Sequence, residues 1–171
     1  MERIRGNVGG YTVKKTGSFT RPADTTAYAA GDHASDSTSA PTVNTISNCA
    51  RNQGGSGVIL NAMLIDSEAP STAGEFEVWI FDTTWTPDND NAAFTPTDAE
   101  CLNLVAIVPF PSYNSYVGTA SGNRVYQGDA VNRGFKCGAT SHSLFWALVV
   151  RSAYTPVSGE TFSLRLTISQ D

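Results

Sequence analysis

Thr161-Phe-Ser-Leu-Arg-Leu-Thr-Ile-Ser169 alternates without a break: Phe162, Leu164, Leu166 and Ile168 take one phase, and Thr161, Ser163, Arg165 and Thr167 take the other. A repeat of two marks a strand with one buried and one solvated face, because successive side chains leave a pleated backbone on opposite sides. This stretch predicts a strand that lays four large apolar groups on a core. A second stretch, Gly74-Glu-Phe-Glu-Val-Trp-Ile-Phe-Asp82, has the same period with a difference. Phe76, Val78 and Ile80 share one face, while Glu75, Glu77, Trp79 and Phe81 share the other. Its far end is apolar on both faces, which predicts cover on both sides, from its own chain or from a neighbour's.

Further strands follow from the same reading. In Val58–Asp66, Val58, Leu60 and Leu64 alternate with Ile59 and Ile65, behind the glycine turn Gln53-Gly-Gly-Ser-Gly57. Leu102–Phe110, ended by Pro109 and Pro111, and Leu144–Arg151 are apolar runs too short and aromatic to prefer a helix. Shorter strands fall at Tyr11–Lys15, Thr42–Ile46, Arg124–Tyr126 and Gly134–Lys136, with an extended segment from Phe19-Thr-Arg-Pro22. Ser35–Ala40, Tyr113–Asn123 and Tyr154–Gly159 are polar or Gly/Pro-rich loops. Thr97-Asp-Ala-Glu100 places a hydroxyl three residues before a carboxylate and reads as a capped helical turn. Eight or nine strands with no helix-period segment predict an all-β protein with little helix. The expected architecture is an antiparallel two-sheet β-sandwich of the jelly-roll type. Its core should hold Val78, Ile80, Leu144, Leu148, Phe162, Leu164 and Leu166.

Composition agrees. Ser and Thr make 36 of the 171 residues and charged residues only 16%, a balance that favours strands and turns over helices. The length fits one domain able to bury about two-thirds of its unfolded surface. The net charge of −5 is unevenly placed. Residues 1–21 carry five basic groups against Glu2, a net of +4, and residues 22–171 carry six basic and fifteen acidic groups, a net of −9. The expected organisation is a basic N-terminal arm, 1–21, on a single sandwich domain, 22–171. An acidic body argues against a nucleic-acid groove, which needs clustered Lys and Arg. No apolar run is long enough to span a membrane, and Met-Glu-Arg-Ile-Arg at the start lacks the apolar centre of a signal peptide, so synthesis in a cytoplasm is expected. Cys49, Cys101 and Cys137 are odd in number and widely spaced, which predicts small buried or semi-buried thiols rather than disulfides or a zinc site.

Candidate chemistry is sparse. Asp88-Asn-Asp-Asn91 opens like a calcium loop, but Ala93 and Ala99 stand where that pattern needs Gly and Glu, so an Asx-rich turn without metal is expected. His33 and His142 have no motif around them, and Gly54-Gly55-Ser56-Gly57 lacks the spacing of a nucleophile elbow. Glu75 and Glu77 share a strand face, where a solvated like-charge pair is the ordinary reading. No catalytic residue, metal or cofactor is therefore assigned. Trp79, Trp85, Tyr113 and Tyr116 suit either a sugar-stacking platform or a protein interface, and the residues alone leave both open.

The order and spacing of several motifs resemble the jelly-roll capsid decoration (cement) proteins and related head proteins of tailed bacteriophages. These motifs are Tyr28-Ala-Ala-Gly-Asp32, the glycine turn into Gly57-Val-Ile-Leu60, Val78-Trp-Ile-Phe81, Asp90-Asn-Ala-Ala-Phe-Thr-Pro-Thr-Asp98, and Ala153-Tyr-Thr-Pro156 followed by Glu160-Thr-Phe-Ser-Leu164. They span residues 19–171. The resemblance implies a non-enzymatic virion structural protein on the capsid surface, with the major capsid protein and further copies of itself as partners. A homotrimer is expected, because capsid lattices offer threefold sites. Trp85, Tyr113 and Tyr116, set in long loops, are the expected oligomer interface. The basic leader lies outside the matched motifs. Its charge against an acidic body, with Arg3, Ile4, Arg5, Val8, Tyr11, Val13, Lys14 and Lys15 along it, predicts a capsid-docking arm. The rival readings are a carbohydrate- or receptor-binding module on a virion and, last, a β-sandwich hydrolase.

Overall fold

The alternating stretch near the C-terminus does form a strand whose even-numbered residues are all buried. It belongs to a computed structural model that describes residues 11–70, 72–118 and 122–171. Along the chain the strands are β1 (Tyr11–Thr20), β2 (Asp32–Ala34), β3 (Asn44–Ile46), β4 (Ser56–Asp66), β5 (Phe76–Phe81) and β6 (Ala92–Ala93). After the four-residue helix α1 (Asp98–Cys101) come β7 (Leu104–Phe110), β8 (Ser115–Val117), β9 (Arg124–Gln127), β10 (Arg133–Lys136), β11 (Leu144–Val150) and β12 (Thr161–Gln170). They build two antiparallel sheets. The first runs β1-β12-β4-β9-β8, with β10 also pairing β4; the second runs β6-β2-β11-β5-β7, with β3 also on β11. When β2 and β3 are taken as one interrupted strand, β9 and β10 as another, and short β6 and β8 are set aside, eight strands remain. In chain order they read 1-8-3-6 in one sheet and 2-7-4-5 in the other. That is the double Greek key of a jelly roll.

The core between the sheets contains all seven expected residues, each fully buried. Every residue of β11 is buried, because this strand has covered faces on both sides. The outer cover answers the double-faced apolarity of the Gly74–Asp82 stretch, and it comes from the same chain. The loop after β5 folds back over the second sheet. Trp85 stacks on Phe81 with ring centroids 5.5 Å apart, and Phe94 meets Trp79 edge-on at 5.1 Å. Phe145 and Ala147 complete this smaller cluster. Thr97 and Glu100 make the expected capping box at α1.

Two features depart from expectation. The first strand continues to Thr20 and pairs with β12 over its whole length, Tyr11 opposite Gln170 and Thr20 opposite Thr161. Residues 11–20 are therefore the edge strand of the sandwich and not part of an arm. Val13, Gly17 and Phe19 supply the inward phase, which the polar residues between them disguise. Gly17 is needed there: a Cβ at this position would lie 2.6 Å from the carbonyl oxygen of Thr45 and 3.1 Å from Trp146 Nε1, where the two sheets close on each other. The second departure is β8, which forms within the segment expected to be loop and extends the first sheet beyond β9.

Candidate docking surfaces

The loop after β5 covers the outer face of the second sheet over β11 and the end of β5, leaving Ile107 and Pro109 of β7 exposed. The first sheet turns a row of side chains outward that nothing in the described chain covers. Cross-strand register fixes that row: Ser18, Ser163, Ile65, Val125 and Tyr116 lie side by side across five strands. The neighbouring row is Thr16, Arg165, Met63 and Gln127, and beyond it Lys14 stands opposite Thr167. Met63, Ile65 and Val125 are half-buried by their neighbours in the sheet. The Arg165 guanidinium leans on the Met63 sulfur, while its Nε has no hydrogen-bond partner.

The expected site residues fall into separate places. Arg3, Ile4, Arg5 and Val8 lie outside the described residues. On β1, Lys14 points outward and is exposed, whereas Val13 packs against the core and Lys15 shares its phase. Tyr11 is exposed under the Arg51 guanidinium, 5.7 Å from the ring centroid. Tyr113, in a 3₁₀ turn, and Tyr116, on β8, are 87% and 62% exposed at the free edge of the first sheet. Val117 stands beside them, also exposed. Trp85 does not join this group: it is 5% exposed, buried over the second sheet by its own chain. Trp79 lies in the same outer cluster, so the four aromatics form no common platform.

The polar candidates serve as structure. Asp90 is buried and accepts from Arg21 Nη2 at 3.1 Å, from the Tyr28 hydroxyl at 2.6 Å and from the Ser35 amide at 2.9 Å. Asp88 caps Thr95, accepting from its amide at 2.8 Å and its hydroxyl at 3.0 Å. A guanidinium thus occupies the place where a cation would meet Asp90. His33 is buried edge-on to Trp85, with Nδ1 2.7 Å from the Asp88 carbonyl oxygen, and burial holds its pKa below the ordinary imidazole value. Glu75 accepts from the Ser112 hydroxyl at 2.9 Å, and Glu77 pairs with Arg151. Ser56 donates to Asp171 at 2.6 Å.

A second buried polar group was not foreseen. The Tyr154 hydroxyl lies 2.9 Å from one oxygen of Glu160 and 3.4 Å from Asp66, and both carboxylates are fully buried. Loss of hydration pushes the Asp66 carboxyl up to about 7, reinforced by the Glu160 charge, and raises Glu160 as well. Tyr154 bridges to Tyr28 through a backbone pair and a stacked ring contact of 6.3 Å, so the two polar groups are neighbours. The period of two carried the signal. Extending the inward phase of β12 back from Phe162 reaches Glu160, and extending that of β4 on from Leu64 reaches Asp66.

No protein-family model matches the chain, and no curated protein matches it. Among solved structures, one chain of the cyanophage Pam1 capsid asymmetric unit aligns with a TM-score of 0.37 and 10% identity, over 100% of this chain and 93% of that one. A chain of the acid-stable capsid of Helicobacter pylori bacteriophage KHP30 aligns with a TM-score of 0.31 and 10% identity, over 94% and 89%. Likenesses this faint assign no function.

Proposed function

We propose that this chain is a structural protein of a bacteriophage particle, a decoration (cement) subunit that binds the outer face of the capsid and stabilises the shell. The observation that carries the reading is the asymmetry of the jelly roll. One sheet face is covered over β11 and the end of β5 by the chain's own loop, with Ile107 and Pro109 of β7 left exposed, and the other, with its aromatic edge, has no such cover among the described residues. A subunit that decorates a shell needs one side to dock and one side that stands in water. The sequence motifs that resemble cement proteins support the same role. Binding the assembled shell and not its dissociated parts stabilises it by mass action, without chemistry.

In this reading copies of the chain form a trimer through the edge that carries Tyr113 and Tyr116, burying roughly 800 Å² per partner. Trp85 takes no part, because its own subunit already covers it. The arm that docks on the major capsid protein is residues 1–10, with Arg3, Ile4, Arg5 and Val8, since 11–20 belong to the sheet. A glycan-binding role would rest on Tyr113 and Tyr116 alone, since Trp79 and Trp85 are held in the outer cluster. The test is occupancy: capsids assembled without the protein are mixed with the purified chain and imaged. Saturable binding that raises the temperature of shell disruption is the expected result. Capsids that take up none of it refute the role.

A further inference from the structure

The basic side chains of the described chain are segregated to one sheet. Arg21 and Arg151 are paired with carboxylates, and buried Arg124 turns its guanidinium to Ser115 and the Pro70 carbonyl. All the others lie on β1, β12, β10 or the turn that enters β4, and among the described residues none is within salt-bridge distance of a carboxylate. Three of them, Lys14, Arg165 and Lys136, stand on the outward phase of the first sheet. No Asp or Glu of that sheet's strands shares this phase, because Asp66 points inward. Asp36, Asp82, Asp88, Asp98 and Glu100 belong instead to the loops around the second sheet, while Asp171, held by Ser56, closes the end of β12 near Lys136, and Glu68 and Asp129 lie in loops at the ends of the first sheet's strands.

From this arrangement we infer that the open face of the first sheet docks an acidic protein surface of the shell, with Arg165 receiving a carboxylate from it. This inference rests on the role proposed above and names which face meets the shell and what chemistry meets it there. Arg165 is the centre of the site for three reasons. Its guanidinium is held against Met63 by the sheet, so little freedom remains to be lost on binding. Its guanidinium has no carboxylate partner among the described residues, and a guanidinium edge donates two parallel hydrogen bonds to a carboxylate. Ile65 and Val125 beside it provide apolar ground from which a partner would displace water, the setting in which a charged pair contributes to affinity and not only to encounter rate. The occupant is another protein rather than a second copy. The acidic loops of a second copy lie on the side opposite its own basic face, and such back-to-front contacts between parallel faces extend into open stacks instead of closing into a ring.

The test compares the wild-type chain with Arg165→Glu, Arg165→Lys and, as a control beside the second sheet, Asp98→Lys, in binding to capsids assembled without the protein. Each variant is first shown by circular dichroism to keep the wild-type fold. Arg165→Glu is expected to weaken binding about thirty-fold or more, Arg165→Lys to weaken it less, and Asp98→Lys to leave it unchanged. Wild-type binding that is strong and equally strong in Arg165→Glu overturns the assignment of the face and leaves the role standing. Wild-type chain that binds no capsid removes the role and this inference together. Self-association of the free chain that Arg165→Glu abolishes, with capsid binding retained, gives the face to a second copy and likewise overturns the assignment.

Discussion

Raising the pH from 5 to 8 should withdraw the stability that protonated Asp66 gives this fold, and Asp66→Asn should remove that loss. Asp66 is fully buried with its carboxyl pushed up to about 7 from an ordinary value of 3.8. A carboxyl whose pKa is raised by folding favours the folded state below its unfolded value, and that advantage fades as pH rises through the folded value. A shift of about three units corresponds to about 4 kcal/mol in all, of which about 2–3 kcal/mol falls between pH 5 and 8. Glu160, shifted in the same direction, adds to the slope. The groups facing Asp66 are Glu160, Tyr154 and Tyr126, with Glu68 close by, and none of them brings a positive charge. Arg124 lies opposite Asp66 across β4 and β9, but its guanidinium is engaged elsewhere. Asp24 and Glu100 have pKa values lowered by hydrogen bonds, so their contributions are lost only in more acid solution, whereas buried His33, whose pKa is also lowered, gains stability as pH rises through the ordinary imidazole value and opposes Asp66 within this window. Urea unfolding followed by tryptophan fluorescence at pH 5, 6, 7 and 8 measures the slope directly. Asparagine keeps the size of the side chain and an oxygen to accept from the Glu68 amide, which Asp66 does at 2.9 Å. Because His33 works the other way, the slope that decides is the difference between wild type and Asp66→Asn, and an unchanged slope in Asp66→Asn would refute the reasoning.

Gly17→Val should cost about 1–3 kcal/mol, because the added Cβ would press on a backbone oxygen of β3 that cannot swing aside; a chemical denaturation midpoint equal to wild type would show that the sheets are not in tight contact there. Trp85→Ala should cost about 3–5 kcal/mol through the cavity left over the second sheet, whereas Tyr113→Ala should leave the melting of the dissociated subunit unchanged and lower only its association measured by sedimentation.

The sequence reading captured what a period of two can carry. β12 and β5 announced their inward faces, and the double-faced end of β5 correctly required a cover. It could not say whose cover, because Trp85 and Phe94 follow a path set by contacts with Phe81, with Trp79 and, far off in the sequence, with His33. An aromatic in a polar loop looks the same whether it folds back on its own sheet or waits for a partner. The boundary of the supposed arm was misplaced for a similar reason. β1 is an edge strand with one polar face and small or charged residues in part of the other, so charge marked it more strongly than hydrophobicity. The open basic face emerges only when strands far apart in the chain are brought into register, since Lys14, Arg165 and Lys136 belong to β1, β12 and β10.

The pairing of β1 with β12 and of β12 with β4 also dictates an order of events during synthesis. β12 sits between the first strand of the domain and the long strand β4, so until residues 161–170 leave the ribosome β1 has no partner and one edge of β4 is open. Nearly all the ladders of the first sheet join segments far apart in the chain, a topology that closes slowly. A nascent chain halted before this strand would leave β1 unpaired, one edge of β4 open and the part of the second sheet that faces β12 uncovered. Rare codons, a stalled ribosome or a stop within residues 161–170 would therefore be expected to yield aggregates instead of a shortened but working subunit.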